Sequence, residues 1–164
     1  MGYIENSVKA SGFESMPEST PVLTVHANYA SGDYCGTSGV AMEFQKSASG
    51  PGKSGYILSA LLIDAALQSA AIELWLYDYP VTPPADSAAW TLSDSDAKHL
   101  VAIIPFSNYY ASALNSASDG QPDTGAKKFV CQSDSRSLYG CLVLRSAPTF
   151  ASGDLTVRLT LEQG

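Results

Sequence analysis

Gly55-Tyr-Ile-Leu-Ser-Ala-Leu-Leu-Ile-Asp64, an Ala-rich link, and Ile72-Glu-Leu-Trp-Leu-Tyr-Asp-Tyr-Pro80 form the stretch whose reading decides the fold. In the second piece Ile72, Leu74 and Leu76 share one face, and Glu73, Trp75 and Tyr77 share the other. That is the period-two pattern of a strand. The first piece is ambiguous. Ile57, Leu61 and Leu62 fit a helix as well as a strand, and Ala65, Ala66, Ala70 and Ala71 are good helix formers. Two strands, 56–64 and 71–79, are preferred because the second alternates clearly.

The pattern repeats outward from there. Leu23, Val25 and Ala27 alternate with Thr24, His26 and Asn28, and Leu155, Val157, Leu159 and Leu161 alternate with Thr156, Arg158, Thr160 and Glu162. Further strands are expected at 40–44, 100–106, 128–132 and 137–145. Tyr29 to Asp33, Ser47 to Gly55, Pro80 to Ala89 and Ser152-Gly-Asp154 carry turn chemistry. Ser93 can cap a short helix reaching Leu100, with Asp96 three positions later approximating a capping box. Ser107 to Gly125 is polar and turn-rich and reads as a long loop. The expected fold is all-β: an antiparallel β-sandwich, jelly-roll-like, of about eight strands with one short helix. Residues 1–20 read as an N-terminal arm, and 21–164 as a single sandwich domain, the usual outcome for a chain of this length.

Composition narrows the function. Charged residues are only 15% of the chain and the net charge is −7. The basic residues are scattered, with Lys127-Lys128 the only adjacent pair. Nucleic-acid binding needs a cationic stripe that displaces counterions, so no nucleic-acid partner is expected. Anionic membranes would repel the chain, and Ser59, Asp64, Gln68, Ser69 and Glu73 interrupt its most apolar run. No membrane association is expected. The N-terminus lacks the basic-then-apolar pattern of a signal peptide. It opens a myristoylation-like Met1-Gly2, but Ser7 falls one position late. Cys35, Cys131 and Cys141 are an odd set, expected as free thiols, with Cys131 and Cys141 the only pair placed to meet across a hairpin.

Residue types that carry chemistry are present without their full motifs. Ser47-Ala-Ser-Gly-Pro-Gly-Lys-Ser54 approaches a phosphate-binding loop, but Ser47 stands where the first glycine belongs and Pro51 removes a cradle N–H. His99 with Asp94 and Asp96 is the nearest approach to a metal set, and the alternative is a capped helix with an acidic start. Asp64, Glu73 and Asp78 are candidates for paired glycosidase carboxylates, or else turn residues at strand ends. Trp75, Tyr77, Tyr79 and Trp90 form either a sugar-stacking platform or packing under the Pro-rich loop. No serine lies in a nucleophile elbow. No catalytic, cofactor or metal residues are assigned, and no cofactor is expected.

Several segments resemble small virion structural proteins of tailed bacteriophages. They are Tyr29-Ala-Ser-Gly-Asp33, the 55–64 strand, Gln68-Ser-Ala-Ala-Ile-Glu-Leu-Trp-Leu-Tyr-Asp78, Asp86-Ser-Ala-Ala-Trp90 with Ser93-Asp-Ser-Asp96, Leu138-Tyr-Gly140 and Ser152-Gly-Asp-Leu-Thr-Val-Arg158. The resemblance spans about residues 22–162. It implies a non-enzymatic capsid decoration (cement) protein that binds the major capsid protein and stabilises the shell. It also implies a homo-oligomer, with a trimer favoured, made in the host cytoplasm and located in the virion. The alternative is a carbohydrate-binding β-sandwich of a tail or neck fibre. Tyr3, Ile4, Phe13 and Met16 of the arm are isolated apolar anchors and are the expected partner contacts.

Overall fold

The computed structural model describes residues 13–15, 18–19 and 27–164. The protein is an all-β sandwich of two antiparallel sheets with one short helix among the described residues.

The first sheet is organised by its longest strand. Strand β6 (Ser54–Asp64) pairs along one side with β14 (Leu155–Gln163). On the other side it pairs with two strands in succession: β10 (Ser116–Gly120) covers residues 60–64, and β11 (Lys127–Val130) covers 54–57. Strand β9 (Tyr110–Ala111) extends the sheet beyond β10, and β1 (Phe13–Ser15) and β2 (Glu18–Ser19) extend it beyond β14.

In the second sheet β12 (Leu138–Leu144) and β7 (Ile72–Tyr77) are central. Strand β8 (Leu100–Phe106) forms one edge, and β4 (Tyr34–Cys35) and β5 (Met42–Phe44) share the other. Pro105 sits on that β8 edge, where a missing N–H costs no ladder bond. A two-residue pair, β3 (Ala27–Asn28) with β13 (Thr149–Phe150), lies apart from both sheets. The strand expected at 22–28 is described only at this last part.

A bulge explains why β6 resembles a helix in sequence. Gly55 and Ile57 are buried, but the next buried positions are Ala60, Leu62 and Asp64. The parity flips at Leu58 and Ser59, where the register with β14 shifts between Thr160 and Leu161. An extra residue on one strand bends the ladder and re-aims the side chains that follow. The helix-like spacing of Ile57 and Leu61 is thus the trace of a bulged strand.

Between the sheets lies one apolar core. Ile57, Ala60 and Leu62 meet Leu155, Val157, Leu159 and Leu161 from the first sheet, and Ile72, Leu74, Leu76, Ile104, Leu142 and Leu144 from the second. Each fully buried Leu, Ile or Val contributes about 1.5–3 kcal/mol. A second apolar cluster covers the opposite face of the second sheet. Tyr34, Ala41, Tyr77, Val81 and Cys141 are buried there, with Trp75, Trp90, Leu92 and Tyr139 packed against them. The chain between β7 and β8 supplies Val81, Trp90 and Leu92, so this Pro-rich stretch is a lid on the sheet. Tyr77 is fully buried under this lid, on the face it shares with Trp75.

The segment 107–125, read as a long loop, contains β9 and β10. Ser116, Ser118 and Gly120 are buried in alternation, so period two is present but carried by small residues. Fourteen strands are described against about eight expected, and seven of them are only two or three residues long. Helix α1 (Asp94–Ala97) begins where its cap was expected: the Ser93 hydroxyl accepts the Asp96 amide at 3.1 Å.

Candidate functional site

Among the described residues the most exposed large apolar side chains lie on one hairpin. Tyr110 is 81% exposed and Leu114 80%. Strands β9 and β10 pair Tyr110 with Ala117 and Ala111 with Ser116, leaving Ser112 to Asn115 as the turn. Ser112 braces that turn. Its amide donates to the Asn115 carbonyl at 2.7 Å, and its hydroxyl accepts the amides of Leu114 and Asn115 at 3.3 and 3.2 Å. The same hydroxyl is 3.0 Å from Asn115 Oδ1. A backbone held this way presents Tyr110 and Leu114 on a structured tip.

A second feature is a groove of about 600 Å³ lined by Tyr79, Pro80, Tyr139 and the Gln132–Ser135 turn. Tyr79 is 41% exposed. Its ring stacks on His99, with centroids 4.7 Å apart and planes 23° from parallel. His99 Nδ1 is 2.7 Å from Asp78 Oδ1, and the Asp78 amide donates to the His99 carbonyl at 3.1 Å. Gly52 holds the turn opposite. Its amide reaches the carbonyls of Gln132 and Ser135 at 2.8 and 3.1 Å, with Gly52 at φ +68°.

The sequence candidates distribute as follows. Gly52-Lys53-Ser54 runs into strand β6 where a phosphate-binding loop would open a helix. The Gly52 and Lys53 amides are both spent on carbonyls, the latter on Gly50 at 3.2 Å. His99 turns to Asp78 and not to Asp94. Asp96 accepts the Thr82 amide at 3.2 Å. Among the described residues no three His, Cys, Asp or Glu side chains converge as a metal set.

The three carboxylates at strand ends each have a local partner. Asp64 is fully buried and accepts the amides of Ala66 and Ser69, each at 2.8 Å. Glu73 binds Arg145 at 2.8 Å and the Trp75 indole N–H at 2.9 Å. The Arg145 hydrogen bond, helped by the indole, holds the Glu73 carboxyl below its ordinary range against the opposing effect of burial. Asp78 is taken by His99.

The four aromatics do not form one platform. Trp75 and Trp90 meet edge-on at 5.8 Å, Trp90 lies 5.7 Å from Tyr34, and Tyr77 is buried beneath them. Tyr79 alone faces outward, on His99. The three cysteines are buried free thiols. Cys131 belongs to the inter-sheet core and Cys141 to the cluster under the lid, on opposite faces of the second sheet.

Of the arm residues expected at a partner, Phe13 lies on β1 opposite Gln163. Tyr3, Ile4 and Met16 fall outside the described residues. The exposed hairpin tip was not singled out from sequence. Its one signal is Tyr110 and Leu114 standing as large apolar residues in an otherwise polar stretch.

No protein-family model matches the chain, and no curated protein matches it.

Proposed function

We propose that this chain is a non-enzymatic structural protein of a bacteriophage virion, a decoration protein that binds the major capsid protein and stabilises the shell. The observation that supports this most directly is the braced hairpin tip with Tyr110 and Leu114 held in solvent. Burying such side chains at a contact gains about 1.5–3 kcal/mol each. One tip is a weak anchor. A homo-oligomer, in this reading a trimer, brings several tips to a symmetric lattice, and linked contacts multiply in affinity. The strand-end carboxylates fit the same picture, since each is engaged in holding the sandwich together. The protein would be made in the host cytoplasm and carried in the virion.

The test is co-sedimentation with expanded shells of the major capsid protein. Wild-type chain should pellet with shells, and a Tyr110→Ser, Leu114→Ser double variant should stay in the supernatant with an unchanged melting temperature. Equal pelleting by both would remove the tip as the anchor. Failure of the wild type to pellet would remove the shell as the partner.

A further inference from the structure

We propose that the groove between Tyr79 and Tyr139 is a saccharide-binding site. It uses none of the residues of the hairpin tip and stands independently of the shell-binding reading.

The lining selects the ligand class. Tyr79, Pro80 and Tyr139 contribute flat apolar surface, and Gln132, Ser133, Asp134 and Ser135 contribute donors and acceptors. Among the described residues no Lys, Arg or His lines the groove, and the chain carries a net charge of −7, so anions are disfavoured. A single carboxylate, Asp134, is too little for a bare metal cation. An apolar peptide would leave the polar turn without partners, which is costly. A neutral sugar fits both halves: its C–H face stacks on an aromatic ring while its hydroxyls bond to amide, carboxylate and hydroxyl groups. At about 600 Å³ the groove lies within the usual range for small-molecule sites.

Both halves are held in place before any ligand arrives. Asp78 fixes His99, and His99 backs the Tyr79 ring. On the other side the Gly52 amide ties down the carbonyls of Gln132 and Ser135, and the Ser135 amide closes the turn on the Gln132 carbonyl at 3.0 Å. The glycine-rich run before β6 therefore serves as a buttress for the polar turn. Groups ordered in advance lose less entropy on binding.

The test is a titration of isotope-labelled protein with maltose, lactose, cellobiose and diacetylchitobiose, followed by amide chemical shifts. At least one sugar should bind at millimolar concentration and shift the resonances of 78, 79, 132–135 and 139. Tyr79→Ala should weaken that binding by about tenfold, the worth of one aromatic contact, with an unchanged melting temperature and unchanged co-sedimentation with shells. His99 is a positioning residue: His99→Ala should weaken binding, and His99→Phe, which keeps a flat ring behind Tyr79, should restore most of it. The proposal is overturned if no sugar of the set shifts these resonances, if the shifts map elsewhere, or if Tyr79→Ala leaves the affinity intact.

Discussion

The Asp64 carboxylate accepts the Ser69 amide at 2.8 Å across a link in which Leu67 and Ser69 both adopt positive φ, +55° and +47°. With the Ala66 amide on its other oxygen, this one side chain folds the Ala-rich segment into a turn between the two sheets. Hydrogen bonds to a charged acceptor contribute about 1.5–3 kcal/mol each. Asp64→Ala should therefore destabilise the protein by about 2–4 kcal/mol, read as a shift of the urea midpoint with little change in slope. Leu67 is exposed and strained in the left-handed region, so Leu67→Asn should raise stability by up to about 1 kcal/mol. A loss of stability in Leu67→Asn would show that the leucine side chain makes a contact outweighing its backbone strain.

The Tyr77 hydroxyl is buried without a hydrogen-bond partner among the described residues. A buried unsatisfied hydroxyl costs about 1–3 kcal/mol, and removing it releases that cost while the ring remains. Tyr77→Phe should leave stability unchanged or raise it. Thermal denaturation checks this, and a clear fall in melting temperature would reveal a partner for the hydroxyl.

Gly120 lies where a side chain has no room. An added Cβ would come within 2.7 Å of Ile104 Cγ2 and of the Pro105 carbonyl oxygen, which belong to the facing sheet. Gly120→Ala should force the sheets apart and cost about 1–3 kcal/mol. Chemical denaturation of the variant beside wild type measures it.

Alkali should unfold the protein. Burial raises the thiol of Cys35 from 9.0 to about 12 and that of Cys141 from 9.0 to about 12. Burial also raises the phenols of Tyr29, Tyr34, Tyr77 and Tyr109 well above their usual value. Between pH 9 and 12 the unfolded chain releases thiol protons that the folded chain retains, so rising pH favours unfolding. Stability should be fully present below pH 9 and fall through that window, with the phenols extending the loss upward. Glu73 acts in the opposite direction: its lowered value adds stability that is lost in acid, and the exposure of its partner Arg145 keeps that effect small. At pH 8 a thiol reagent should label none of the three cysteines in the native protein and all three in denaturant. Fast native labelling of any one would contradict its burial.

Removal of residues 1–20 takes away β1 and β2 and uncovers the side of β14 that faces away from β6. An uncovered strand edge is a template for pairing with other chains. The truncated protein should keep its sandwich, by far-ultraviolet circular dichroism, and sediment as larger species than the full chain at the same concentration. A monodisperse truncated protein would mean that β14 tolerates an open edge.

Strands with large alternating side chains were legible in the sequence. Leu100–Phe106 and the alternation of Leu155 to Leu161 appear as expected. So does the Ser93 cap, whose chemistry is local. Three kinds of information were not local. The bulge at Leu58 depends on the register with β14, so Ile57 and Leu61 carried a helical spacing inside a strand. Strand β10 hid because serine and glycine, not leucine, fit against the facing sheet at Ile104. The full burial of Tyr77, on the face it shares with Trp75, was not legible because its cover comes from residues 81–92, a segment with no periodicity. The groove at Tyr79 was visible only as a set of aromatics, three of which are packing residues. His99 joined it through Asp78, a carboxylate that stood out for other reasons.

The lid over the second sheet separates two tasks that a bare sheet would have to combine. A strand facing solvent must satisfy its ladder and its surroundings with the same residues. Here Val81, Trp90 and Leu92 fasten an irregular strip over Tyr34, Tyr77 and Cys141, and between those fasteners the Ser87 amide and the Ala88 carbonyl bond to the Tyr34 backbone at 3.0 and 2.9 Å, while Asp86 accepts the Tyr29 hydroxyl at 2.7 Å. The exchangeable part of the strip is its outer side chains. Thr82, Ala85 and Ala89 are exposed and can be rewritten for a new host or lattice, while Asp86, Ser87 and Ala88 keep the strip on the strands below.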